Sequence, residues 1–404
     1  MRKKQVNKSE QIAPNLSLTI DYDMPLRSTN DILNTFNKYL NNACEIEKFN
    51  GTKIVYKYCH NGITDYFLTG AITYLSKPHP IFKKRLQLKK WFKDFYDKYK
   101  YNKDTRIHLI GIYHYEELVV FVEFNIEDYV YRKMNSSAAH VYINDIYQAI
   151  TNEVFKKTDR NGNHVVSIAG RNFNKYLSNN AFENDLFSIF RNFNNEFNFN
   201  EWIQASDAII EMKNDNWYQW RGAEWPGWLL EYKISKYLRE KKYDNYIVYI
   251  GNKKDASMLD FDLFFVKGKF YGDLKSSDIN EKNAPGNDQE NVLSAINRDS
   301  KIWYIIYEHE TIKDIHRNNE MAIARMKLIG EQYKPGDKIS YSRRMKHSVK
   351  FKKMNIFELN RINMNDALRI FNQGHQPDGN FRKPKFLINK TNIDNCIVFS
   401  YKCD

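Results

Sequence analysis

The sequence predicts a mixed α/β (α+β) protein: a separate N-terminal mixed α/β domain, a second α/β unit, and a basic C-terminal extension. Three observations predict it. Residues 226–308 change period in the order helix, strand, strand, strand, helix, strand, the order of a compact α/β unit. The first 200 residues carry strand and helix patterns of their own and are too aromatic to be disordered. Residues 334–404 hold 15 Lys and Arg against 6 Asp and Glu, which accounts for +9 of the chain's net charge of +13. The expected boundaries are 1–205, 206–333 and 334–404.

Each element follows from its local pattern. Residues 82–100 place Leu86, Leu88, Trp91, Phe92 and Phe95 among lysines and read as a basic helix. Residues 107–125 read as a hairpin, with strand-like apolar runs on each side of His114-Tyr115-Glu116-Glu117. Residues 141–155 read as another helix. The polar, Asn-rich stretch 190–201 reads as the boundary between units. Residues 226–242 read as an amphipathic helix with Pro226 in its first turn, where a missing N–H costs nothing. Residues 246–251 are a buried-type strand, and 259–278 are two short strands around a Gly-containing turn. A short helix over 287–299 and a strand over 301–308 complete the series.

Composition narrows the class. Lys and Arg total 62 against 49 for Asp and Glu. Such a bias points to an acidic partner, most commonly nucleic acid, although a basic protein without one has the same composition. Arg343, Arg344, Lys346, Lys350, Lys352 and Lys353 form the densest run; it can track a phosphate backbone or be a basic surface loop. Cys44, Cys59, Cys396 and Cys403 form no CxxC pair, which argues against a structural zinc and for a reducing compartment. The basic start has no apolar core of a signal peptide, and no run nears the roughly 20 apolar residues that span a bilayer. The expectation is a cytoplasmic protein of a bacterium or archaeon, with no membrane contact.

The segment 259–278 carries the chemistry. Strand side chains alternate faces. Phe261, Leu263 and Phe265 share one face of the first strand; Asp260, Asp262 and Phe264 share the other. On the second, Tyr271, Asp273 and Lys275 lie together. A two-residue turn at Gly268-Lys269 would set 262 opposite 275 and 264 opposite 273. Any even-length loop brings Asp262, Asp273 and Lys275 to one side. Side-by-side carboxylates repel unless a cation neutralises them, and a hard divalent ion such as Mg²⁺ suits oxygen ligands. A lysine beside them can orient water and steady charge on a phosphate. The same residues also fit a plain Asp–Lys ion pair on a solvent face.

This segment resembles the catalytic core of the PD-(D/E)XK, or restriction-endonuclease-like, nuclease superfamily. The resemblance covers residues 224–310 and implies a mixed sheet flanked by helices. Asp262 stands where the first acid is expected, Asp273-Leu274-Lys275 as the (D/E)-x-K, and Glu231 as the additional helical acid. It implies that Asp262, Asp273, Lys275 and Glu231 are catalytic, with Mg²⁺ on Asp262 and Asp273. There are departures. No Pro precedes the first acid, and the second acid is Asp where Glu is more common. Asp260 shares a face with Asp262 and is the alternative first ligand. Glu231 could instead answer the helix macrodipole, and Gln289 could approach phosphate or metal or simply face solvent.

The resemblance implies a Mg²⁺-dependent endodeoxyribonuclease most like a type II restriction endonuclease. Such an enzyme acts in restriction–modification against foreign DNA, as a homodimer on double-stranded DNA, and the N-terminal domain would select the site. The alternatives are a structure- or modification-directed nuclease of the same fold, in repair, junction resolution or phage defence, and a catalytically inactive DNA-binding protein. Gly111-Ile112-Tyr113 and Tyr249-Ile250-Gly251 lie too far apart in sequence for a GIY-YIG hairpin, and His114, His140 and His164 have no HNH context.

Overall fold

The computed structural model describes residues 8–403 except 61, 133–137, 179–184, 198, 200, 252–258, 267, 335, 341–342, 375–380 and 392–393. The chain divides into two compact units, Met1–Phe182 and Glu183–Asp404. The expected boundary at 205/206 therefore lies inside the second unit. The Asn-rich stretch that suggested it is largely a helix, Asp185–Glu196, whose Phe187, Phe190 and Phe193 are buried at three-residue spacing. The asparagines occupy the intervening positions and hid that stripe.

The first unit is built on a nine-stranded mixed sheet. Its main path runs Val154–Thr158, His164–Ala169, Leu118–Phe124, Thr105–Tyr115, Ile63–Tyr74, Lys53–His60, Cys44–Phe49. The expected hairpin is present as Thr105–Tyr115 and Leu118–Phe124, paired antiparallel. The helix expected over 82–100 is a strand, Lys83–Gln87, followed by a helix, Trp91–Tyr99. Leu86 is buried because that strand pairs on one side with Ile63–Tyr74 and on the other with Ala138–Tyr142. The helix expected over 141–155 runs Ile143–Asn152, and a strand begins at Val154. The helix Thr29–Tyr39 starts with a reciprocal capping box between Ser28 and Asp31. Its Phe36 stacks on Phe67 and Phe121, together with Phe173, in the core of the sheet.

A polar network sits in this unit. Asp65, fully buried, receives Arg106 Nε at 2.6 Å and Nη2 at 2.7 Å. His108 bridges two carboxylates, with Nε2 3.1 Å from Asp65 Oδ1 and Nδ1 2.6 Å from Glu123 Oε1. A ring that donates to both must carry both protons. Burial works against that charge, but Glu123 and Asp65 outweigh it and raise the His108 pKa to about 9. Because the folded value lies above the ordinary 6.5, the stabilisation is complete below about pH 6.5 and is lost as pH rises through 9. Thermal melts between pH 6.5 and 9 should therefore show falling stability, with a contribution from His108 on the order of 3 kcal/mol. The fall should be flatter in His108→Gln; equal slopes for the two proteins would remove His108 as the cause.

The second unit is a seven-stranded mixed sheet. Its main path runs Ile203–Gln204, Lys346–Asn360, Lys301–Lys313, Phe270–Asp278, Leu263–Phe265, Ile247–Tyr249, and Ile397–Lys402 also pairs with Lys346–Asn360. Phe270–Asp278 and Lys301–Lys313 are parallel, as they must be joined by a crossover, and the helix Gln289–Asp299 lies within that crossover. The helix expected over 226–242 is Trp225–Glu240, with Pro226 in its first turn.

The segment expected as a basic extension is part of this sheet. Lys346–Asn360 pairs along its length with Lys301–Lys313, and Val349, Phe351, Met354 and Ile356 are buried. A strand whose two neighbours and apolar residues lie in one core cannot be an appendage.

Candidate active site

The hairpin register decides which acids meet. Leu263 pairs with Gly272, Phe264 with Tyr271 and Phe265 with Phe270, and residues 266–269 connect them. The connection is even, so the expected side is kept, but the register differs by two residues from a turn at Gly268-Lys269. Asp262, immediately before the strand, falls beside Asp273 and not opposite Lys275, and Phe264 faces Tyr271. Gly272 permits this packing, since a Cβ there would meet the Phe265 ring at 2.5 Å. Phe261 departs from the face of Leu263 and Phe265: its ring lies 5.4 Å from Tyr271, whereas Phe265 packs on Phe270 and Trp303.

Asp273 is 2% exposed and forms an ion pair with Lys275. Asp262 Oδ2 accepts the backbone N–H of Leu274 at 2.9 Å, which ties the two strands through the site. Asp260 is exposed and contributes its carbonyl, which accepts from Asn287 Nδ2 at 2.8 Å. Of the two candidate first acids, Asp262 is the one coupled electrostatically to Asp273 and Glu231.

Glu231 joins them from the helix Trp225–Glu240. It lies nearly two turns in, beyond the reach of the macrodipole, and is buried. A buried mid-helix carboxylate needs partners. Tyr249 Oη donates to its Oε2 at 2.6 Å and Tyr218 Oη to the same oxygen at 3.5 Å. The two hydroxyls are 2.9 Å apart, and the Gly251 carbonyl, 3.2 Å from Tyr218 Oη, is an alternative acceptor for its one hydrogen. A Cβ at Gly251 would stand 2.5 Å from the Tyr249 hydroxyl and 3.1 Å from Asp262 Oδ1, so glycine lets these groups converge. The helix itself is anchored by Trp225, fully buried, whose Nε1 donates to the Lys346 carbonyl at 2.8 Å.

Three carboxyl groups thus share one lysine. Burial first, then Asp273 and Glu231, push the Asp262 pKa well above the usual carboxylate range. Burial raises Glu231 to about 7, with Asp273 adding to the rise and Tyr249 opposing it. Lys275 is also desolvated, but Asp273 and Asp262 raise its pKa and keep it protonated. Asn287 completes the surroundings: Nδ2 donates to Asp273 Oδ1 at 3.3 Å, and Oδ1 is buried without a hydrogen-bond partner. Among the described residues no three His, Cys, Asp or Glu side chains converge to hold a metal. A cation here would rest on Asp262 and Asp273, with Asn287 Oδ1 as a neutral oxygen nearby. Gln289 begins the helix Gln289–Asp299 and is partly exposed; its backbone N–H donates to the Pro384 carbonyl.

Asn287, Tyr218 and Tyr249 were not singled out from sequence. Asn287 precedes its helix by two residues and gave no signal. Tyr249 lies one strand away from the hairpin, and its hydroxyl could not be aimed at Glu231 without the sheet order.

Three of the six Lys and Arg residues of 343–353 are ion-paired with this unit's own acids. Lys346 pairs with Glu224 at 2.8 Å, Arg343 with Glu331 at 3.2 Å and Lys353 with Glu308 at 2.7 Å. Lys350 lies across from Glu310 in the sheet, and Arg344 and Lys352 have partners too. These pairings reduce the charge offered to a phosphate backbone.

Residues 64–177 match the family Methylase-associated X1 (MTaX1). The matched segment lies wholly within the first unit. By its description the family is associated with methylases, which suggests a restriction–modification context. No curated protein and no solved structure matches the chain. Among the described residues no helix is long and apolar enough to cross a membrane.

Two outcomes follow from this geometry. Asp262→Asn removes one of the crowded charges yet keeps an oxygen for the Leu274 N–H. In EDTA at pH 8 it should melt higher than the wild type, by the equivalent of about 1 kcal/mol or more. A lower melting temperature would mean that the acids are not in mutual repulsion. Lys353→Ala should lower the melting temperature by several degrees, because Glu308 is buried and loses one of its two lysines. An unchanged melt, with weakened DNA binding instead, would return Lys353 to a phosphate-contacting role.

Proposed function

We propose that the second unit is a Mg²⁺-dependent endodeoxyribonuclease, most like a site-specific type II restriction endonuclease. One observation carries this reading: Glu231, Asp262 and Asp273 are gathered out of water around a single lysine. Nothing in folding favours such an excess of buried negative charge, and a hard divalent cation would neutralise it. A Mg²⁺ ion held there would supply Lewis acidity for phosphodiester hydrolysis.

The chain's own groups have separable tasks. Asp262 and Asp273 would hold the cation, and the Leu274 N–H fixes the Asp262 carboxylate. Lys275, held protonated by the acids, orients Asp273 and offers its remaining hydrogens to the charge developing on the phosphate. Glu231, with a pKa of about 7, can accept a proton near neutrality. Tyr249 donates to Oε2, so Oε1 is the oxygen placed to take it.

The methylase-associated match in the first unit supports a restriction–modification setting, in which a nuclease accompanies a methylase. In this reading the first unit selects the DNA site. Two copies, each with one such centre, would cut the two strands of a palindromic duplex.

The test is to incubate the full chain with phage and plasmid DNA, with Mg²⁺ or with EDTA, and to sequence the fragment ends. Discrete Mg²⁺-dependent ends are expected from the wild type. Asp273→Ala should cut at less than about a hundredth of that rate with DNA binding retained, and Lys275→Ala should lose most activity while keeping Mg²⁺ binding better than Asp273→Ala. Near-wild-type cutting by Asp273→Ala would overturn the assignment of the site. Tight DNA binding by the wild type without any cutting would favour a binding protein.

A further inference from the structure

A cavity of about 510 Å³ opens in the first unit, walled by the strands Lys53–His60, Ile63–Tyr74 and Lys83–Gln87 and the start of the helix Trp91–Tyr99. Arg27, Lys53 and Lys89 line it, and no Asp or Glu is among its lining residues. Three cations line it with no acid in the walls. Lys89 Nζ leans back over the Trp91 and Phe92 rings, 5.9 and 5.6 Å from their centroids, and donates to the Thr69 carbonyl at 3.3 Å. Desolvation and then Lys53 lower its pKa, as expected for a cation without a counterion. The Thr69 hydroxyl is buried without a hydrogen-bond partner. Trp91 and Tyr56 supply flat aromatic wall.

A binding anion would answer the cations, and a planar ring would answer the aromatic wall. The volume lies in the range of about 300–1,000 Å³ common to small-molecule sites. We propose that this cavity binds a single nucleoside 5′-monophosphate unit, with its phosphate on Arg27, Lys53 and Lys89 and its base against Trp91. The unit is either a free nucleotide or one nucleotide turned out of a DNA strand, since both present the same phosphate and ring. Every residue involved lies in the first unit, so the inference does not rest on the nuclease reading.

The test uses the full chain in EDTA with Asp273→Ala in the background, so that the second unit's acids are not loaded. Calorimetric titrations compare 2′-deoxyadenosine 5′-monophosphate with 2′-deoxyadenosine and with inorganic phosphate. The nucleotide should bind at least about tenfold more tightly than either fragment. Lys53→Gln/Lys89→Gln, which alters exposed side chains, should weaken it about tenfold or more, and Trp91→Leu should weaken the nucleotide but not phosphate. A duplex carrying 2-aminopurine at a mismatch then separates the sources. A change in its fluorescence on binding, competed by the mononucleotide and altered in Trp91→Leu, identifies a nucleotide of DNA; mononucleotide binding without that change identifies a free one. The proposal is overturned if the nucleotide binds no better than phosphate, or if the double lysine variant binds it as the parent does.

Discussion

The second unit is organised around an electrostatic conflict. Asp262 and Asp273 are side by side at the mouth of a hairpin, Glu231 approaches from a helix, and one lysine answers all three. Withdrawn from water and crowded by Asp273, Asp262 and Glu231 have raised pKa values, and the fold tolerates this only because rigid elements impose it. The Leu274 N–H on Asp262, the two tyrosine hydroxyls on Glu231 and Asn287 on Asp273 each satisfy one oxygen. None of them removes the excess charge. Elsewhere in the unit the ratio is reversed: the single carboxylate of Glu308 lies between Lys353 and Lys390.

The rest of the unit holds that arrangement still. The strand with Asp273 and Lys275 is flanked by the hairpin on one edge and by Lys301–Lys313 on the other, so its side chains cannot change face. The long strand Lys346–Asn360 buttresses Lys301–Lys313 and receives the Trp225 indole, which sets the depth of the helix that carries Glu231. Part of the positive charge in 343–353 is paired within this framework, on Glu331, Glu224 and Glu308. The first unit, which contains the segment that matches the Methylase-associated X1 family, also has a cavity lined by Arg27, Lys53 and Lys89 without an acid.

Some of this was determined by the sequence alone. Period-two patterning with charges at 262, 273 and 275 put three groups on one side of a hairpin, and this parity survives any even loop. The order of helix, strands and helix over 226–308 also follows from local periodicity. So does the hairpin over 107–125, because neighbouring residues contain all the information that a local element needs.

Tertiary structure alone decided the remainder. Asp262 rather than Asp260 adjoins Asp273 because the connection spans 266–269, a register that depends on how Phe265 packs across Gly272 onto Trp303. Tyr249, Tyr218 and Asn287 enter the site from segments distant in sequence, and only the sheet order brings them there. The basic run 343–353 reads as a tail because charge dominates its composition; pairing with Lys301–Lys313 turns its Val349 and Phe351 inward, and Arg343, Lys346 and Lys353 meet nearby acids. Local pattern specifies which face a side chain takes, whereas the partner that face meets is set by long-range packing.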